Sequence, residues 1–181
     1  TGLCYSINDL GALQYLHGQF ALAKRAFQEA LDIAVAIGNL WVQGVHLYNM
    51  GVVTLEQGYP TQAISLFEQA LGLAREIGDR STEAAILFDM GRAYHCLGDL
   101  ERAREKLEQA LGVMEASGER GHTSNIHAYL ARVFLATNEE EAALAHARTG
   151  LQVAQETEDR WSLGLTHRVM GCLLYTSDAA D

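Results

Sequence analysis

Seven histidines and three cysteines are the side chains of this sequence best suited to carry chemistry. A metal site built on one helix needs ligands three or four residues apart, so that both leave the same face. His122 and His127 are five apart, no His-Glu-x-x-His stretch occurs, and Cys4, Cys96 and Cys172 have neither metal nor redox spacing. His95 and Cys96 would serve as base and nucleophile only if they faced each other, and adjacent helical residues point about 100° apart. They read instead as a groove histidine beside a packed cysteine. The glycines are spaced as helix ends and helix contacts, not as a phosphate-binding loop. No metal, cofactor or catalytic constellation is expected, and the chain does not read as an enzyme.

Composition narrows the remaining classes. The formal charge is −10, and the 13 basic residues are scattered, whereas a nucleic-acid surface gathers Lys and Arg on one face. No apolar run approaches the roughly 20 residues of a membrane span. Three cysteines without a disulfide framework fit reduced thiols in a cytoplasmic setting. The sequence opens on Thr1 and not on Met, so it is expected to be a piece of a longer protein. Its last ten residues, 172–181, break the pattern of the rest and resemble, codon for codon, the translation of a sequencing-library adapter. They are read as a non-native tail, and without Asp178 and Asp181 the formal charge of −10 becomes −8.

What must position any functional residue is a repeat. Leu10-Gly11, Met50-Gly51, Met90-Gly91, Leu130-Ala131 and Met170-Gly171 recur every 40 residues, as do Ala23, Ala63, Ala103 and Ala143. Within each unit the apolar residues return at three to four, the helical period. Leu3, Ile7, Leu10, Leu13 and Leu16 mark a first helix over about 1–17, and Ala23, Ala26, Phe27, Ala30, Leu31, Ala34 and Ile37 mark a second over about 20–37. The same reading predicts helices over about 40–57, 60–77, 80–97, 99–117, 120–137 and 139–157, with a further one starting near residue 160. Pro60 stands where a helix tolerates it, at its first residue. Asp79 and Asp99 follow glycines as N-caps, and Glu139, Glu140 and Glu141 place negative charge on a helix start. A lone helix pair cannot cover its own apolar face, so fixed-period pairs predict a stacked α-solenoid over residues 1–171. Its units would run about 1–39, 40–79, 80–119, 120–159 and, in part, 160–171. Gly11, Gly51 and Gly91 lie inside first helices, where Gly costs about 1 kcal/mol relative to Ala. Close packing against the small second-helix alanines would account for them.

These residues resemble the tetratricopeptide repeat (TPR) family, whose pattern is Leu-Gly, an aromatic, a turn Gly, then Ala, an aromatic or Leu, and Ala. The third unit supplies Met90-Gly91, Tyr94, Gly98, Ala103, Leu107 and Ala110; the second Met50-Gly51, Gly58, Ala63, Phe67 and Ala70; the first Leu10-Gly11, Gly18, Ala23, Phe27 and Ala30. Thr54 and Gln14 replace the aromatic. The fourth unit is degenerate, with Ala131, Asn138, Ala147 and Gly150 at positions that elsewhere hold Gly, Gly, an aromatic or Leu, and Ala. The period of 40 exceeds the usual 34 and is similar to the variant in kinesin light chain and in bacterial regulators such as signal-transduction ATPases and LuxR-type transcription factors.

The resemblance implies an all-α, right-handed superhelix of antiparallel helix pairs, with first helices lining a concave face. It implicates Asn8, Asp9, Ala12 and Tyr15, then Tyr48, Asn49, Val52 and Leu55, then Phe88, Asp89, Arg92 and His95, then Tyr129 and Arg132. Asn49 offers a donor and an acceptor to a peptide backbone, and Tyr48 and Phe88 offer aromatic area beside it. Arg92 and Arg132 would read an acidic ligand. Glu101, Arg102, Arg104, Glu105, Lys106 and Glu108 form instead a solvated second-helix face. Trp41 and Trp161 open equivalent helices and suit packing at repeat junctions. The function so implied is binding a protein or peptide in the groove, as part of a bacterial signalling or regulatory protein; the alternative is a small-molecule or signal-peptide sensor arm. Uncapped solenoid ends would also favour self-association.

Overall fold

The turns set the architecture. Gly18, Gly38, Gly58, Gly78, Gly98 and Gly118 all take positive φ, between 67° and 84°, and Asn138 holds the equivalent place in the fourth unit at φ 61°. Asparagine is among the few other residues that enter this left-handed region readily, so the degenerate unit keeps its turn. The next residue then does two jobs. The amide of Asp79 donates to the Ala74 carbonyl at 2.9 Å, closing one helix. Its carboxylate accepts from the Thr82 amide at 3.0 Å and opens the next. Asn39 and Asp99 cap in the same way, accepting from the amides of Val42 and Arg102.

The computed structural model describes residues 2–118, 122–157, 163–164 and 166–171, with side chains from residue 6 onward. The helices are α1 (Gly2–Leu16), α2 (Phe20–Ala36), α3 (Leu40–Glu56), α4 (Pro60–Ile77), α5 (Arg80–Cys96), α6 (Leu100–Ser117), α7 (Thr123–Ala136) and α8 (Glu140–Glu156). Residues 163–164 and 166–171 are helical too. Observed ends fall within one residue of the sequence reading except at the start of α7, which begins three residues later. Trp161 and the tail 172–181 lie outside the described residues, and the side chain of Cys4 does as well.

Each pair packs antiparallel, α1 on α2 through α7 on α8, and each second helix packs on the following first helix. Successive first helices also meet, α1 with α3, α3 with α5 and α5 with α7, whereas successive second helices do not. Crowding on one side and splaying on the other curves the stack, and the first helices take the inner face. The core between the layers holds Phe67, Leu87, Leu107, Ile126 and Leu130, each fully buried.

The helical glycines have a steric cause. A Cβ on Gly51 would lie 2.5 Å from the Phe67 ring, and one on Gly91 would lie 2.6 Å from Leu107 and 3.2 Å from the Ala103 carbonyl. Gly11 meets Phe27 in the same way. The close partner is therefore the large side chain one turn beyond the alanine, not the alanine alone. Ala23, Ala63, Ala103 and Ala143 are fully buried beside it.

Candidate peptide-binding groove

Along the inner face the side chains form a ladder with one geometric rule. The Asn49 amide nitrogen donates to the Asn8 side-chain oxygen at 3.1 Å. The Tyr48 hydroxyl donates to Asp89 Oδ2 at 2.8 Å. Phe88 meets Tyr129 edge to face, ring centres 5.3 Å apart. Each rung joins the residue two before the Leu-Gly pair of one unit to the residue one before it in the next, 41 positions on. The rungs run from amide pair to phenol–carboxylate to aromatic pair.

The strongest electrostatics lie on the second rung. Asp89 is only 3% exposed, and its second oxygen accepts from Arg92 Nη1 at 2.6 Å. Arg92 also donates through Nη2 to Glu56 at 2.7 Å and through Nε to the Tyr129 hydroxyl at 3.3 Å. Burial raises the carboxyl pKa of Asp89, with Arg92 and Tyr48 pulling the other way. Burial alone would weaken the Arg92 cation, but Asp89, Tyr129 and Glu56 outweigh it and hold Arg92 protonated. Burial and the neighbouring Asp89 likewise push the Tyr48 phenol up, so it stays a donor at neutral pH. Such a network is rigid because losing one member strands a buried charge.

One cleft of about 230 Å³ draws on all the first helices described, from Tyr15 through Glu56, Phe88, Arg92, Asn125, Tyr129 and Arg132 to Arg168 of the fifth unit. Of the residues singled out from sequence, it brings together Tyr15, Phe88, Arg92, Tyr129 and Arg132. His95 stands beside them, edge-on to Tyr129 at 6.3 Å, and burial with the nearby Arg132 favours its neutral form. Arg132 lies over the Tyr129 ring at 4.9 Å. Asn8 and Asn49 form the first rung, and with Asp9, Ala12 and Val52 they lie outside this cleft. Asp9 is exposed, Val52 is half-buried against the core, and Leu55 is buried.

Sequence reasoning missed Glu56, Asn125 and Arg168. Arg168 was open to detection, since it shares its register with Asn8, Tyr48 and Phe88. Cys96 corrects an expectation: it is exposed, not packed, because it is the last residue of α5, beyond the turn that the neighbouring helix covers. Trp41 is partly exposed and donates from its indole to Asp79 at 3.1 Å, tying the openings of α3 and α5. The charges on α6 are solvated and paired, as Arg104 with Glu108 at 2.7 Å.

A second polar pair went unforeseen. His127 and His146 approach Nδ1 to Nδ1 at 2.9 Å between α7 and α8, too far apart in sequence for within-helix spacing to show. Burial, and then His146, push the His127 pKa down to about 4. Among the described residues no group of three or more His, Cys, Asp or Glu side chains gathers as metal ligands would.

The sequence profile described as Tetratricopeptide repeat matches residues 43–116, which span α3 to α6. The central units are tetratricopeptide repeats. The TPR superhelix, all-α and right-handed, extends through the flanking helices, as solved structures show. Aspartyl phosphate phosphatase F from Bacillus subtilis superposes with a TM-score of 0.88 at 14% identity, covering 98% of this chain and 46% of that one. A Rap protein complexed with Competence and Sporulation Factor gives 0.81 at 17%, covering 88% and 45%. A Podosopora anserina putative kinesin light chain with nearly identical TPR-like repeats gives 0.69 at 17%, covering 97% and 93%. At these identities the likeness concerns the TPR fold. The chain spans about half the length of the first two structures. A search of curated protein sequences gives no match. No helix among the described residues is long and apolar enough to cross a membrane.

Proposed function

We propose that this TPR segment is a non-catalytic protein-binding module that holds an extended peptide, or a helix of a partner, along its concave face in a cytoplasmic regulatory protein. The observation that carries the reading is the shared cleft. Five successive first helices send aromatic, amide, carboxylate and guanidinium groups to one inner surface, while the outer charges of α6 are paired and solvated. A Rap protein of this fold complexed with a factor supports the same use of the architecture. The reactive-looking groups are otherwise engaged: Asp89 and Tyr48 bond each other, and the two neutralised histidines pair across helices.

The test is affinity for peptides selected on the intact chain from a randomised pool. Asn49→Ala with His95→Ala should weaken such binding by tenfold or more, because both side chains lie on the inner face and neither anchors the Arg92 network. Unchanged affinity would remove the groove assignment. A second reading, a sensor arm within a longer regulator, draws on the Rap-type structures of about twice this length. In that case the bound peptide should also change the superhelix pitch in small-angle scattering of the same solutions. Leu10, Leu13 and Leu16 of α1 are half or more exposed, and they make self-association through the N-terminal end part of this proposal.

A further inference from the structure

The groove's arginines are not equivalent. Arg92 is consumed internally, bonded to Asp89 and Glu56 at 2.6 and 2.7 Å, so this cluster of one cation and two carboxylates carries a net negative charge. Arg132 and Arg168 line the same cleft and have no carboxylate partner among the described residues; Arg132 rests on the Tyr129 ring instead. In a chain of formal charge −10, these two guanidiniums without acids line one aromatic cleft together. A guanidinium presents several N–H groups in a planar fork that matches a carboxylate. Arg92 and Arg132 share the Tyr129 ring, at 5.8 and 4.9 Å from its centre, and Phe88 meets that ring edge to face, so apolar surface for the methylenes of a glutamate lies beside Arg132.

We infer that Arg132 and Arg168 form an acidic-residue pocket, which takes one Glu or Asp side chain of an extended peptide lying in the groove. The inference rests on the groove reading above and adds the partner's chemistry. The negative Arg92 cluster disfavours a second acid one unit earlier. The pocket therefore fixes register as well as affinity: neutral residues over the first two rungs, an acid over the fourth unit. Arg92, the arginine that register alone would nominate, serves as a brace rather than as a ligand contact.

Heptapeptides randomised at every position, acetylated and amidated so that no terminal charge remains, are selected against the intact chain. Glu or Asp should be enriched at one position. Exchanging that acid for its amide in a selected peptide should weaken binding by at least tenfold, as should Arg132→Gln with Arg168→Gln. Arg104→Gln on the outer face should have no effect, and Arg132→Lys should retain part of the affinity, which guards against loss by misfolding. Binding should also weaken as salt rises. Peptides that depend on Asn49 and His95 but show no acid preference, or that bind the double arginine variant equally well, would overturn the pocket while leaving the groove intact. Acid dependence seen only with a free C-terminal carboxylate would overturn the side-chain assignment. Selected peptides indifferent to Asn49 and His95 would remove the groove reading, and the pocket with it.

Discussion

The third unit and its two neighbours solve the same packing problem with different side chains. At adjacent buried positions of α5 the third unit carries Ile86 and Leu87, both fully buried. The second unit has His46 where the third has Ile86, and the fourth has His127 where the third has Leu87. His46 is 1% exposed and neither ring nitrogen finds a partner, although the ring stacks near Phe27. His127 has His146. The helix contact changes as well. Gly91 admits Leu107 in the third unit, whereas in the fourth Ala131 replaces the glycine and Ala147 replaces the large residue. The close approach moves along α8 to Gly150, whose carbonyl accepts from Ser124 Oγ at 2.8 Å. A Cβ there would sit 3.2 Å from that of His127. A repeat can thus lose its motif residues and keep its geometry when the small and large partners exchange sides.

The largest effect should come from spoiling the regular contact. Gly91→Leu forces a side chain into Leu107 and the Ala103 carbonyl, and should cost about 3 kcal/mol. Ala131→Leu should cost less if the fourth unit has shifted its contact as described; urea unfolding of both variants measures the difference. Next is acid. His127 is neutral in the fold and its pKa is about 4 instead of the usual 6.5. The unfolded chain therefore binds this proton first, so stability is full above pH 6.5 and is lost as pH falls toward 4. By pH 4.5 the loss should be roughly 2 kcal/mol, and His127→Leu, which restores the third unit's residue, should flatten that dependence. The smallest effect has the opposite sign. His46→Ile should raise stability by about 1 kcal/mol at pH 7, since it removes two unsatisfied polar atoms from an aliphatic position. A destabilised His46→Ile protein would mean that the ring has a polar partner after all.

The fold was legible because its determinants are local and repeated. Gly78 and Asp79 announce a helix end and a helix start within two residues, and the 40-residue register carries that signal through the chain. Asn138 was harder to read but obeys the same backbone rule. The groove was legible only as a register. That Tyr48 bonds Asp89 depends on the stagger between stacked units, a 41-residue relation that no helical period contains. The internal pairing of Arg92 was not legible because its two acids come from different helices, one of them Glu56, outside the nominated positions. His127 and His146 were invisible for a related reason, although a histidine where other units have Leu47 and Leu87 was an available sign.

Mechanically, the ladder on the inner face makes this chain an unevenly wound spring. Between the second and third units the rung is bolted by a buried phenol, a carboxylate and a guanidinium that also reaches back to Glu56. On the inner face the rung between the first and second units is an amide pair without charge, and between the third and fourth it is an aromatic contact with one long hydrogen bond. A pull on the ends, or a guest that widens the coil, would therefore be taken up at the two outer joints. The middle of the spring would turn as one piece.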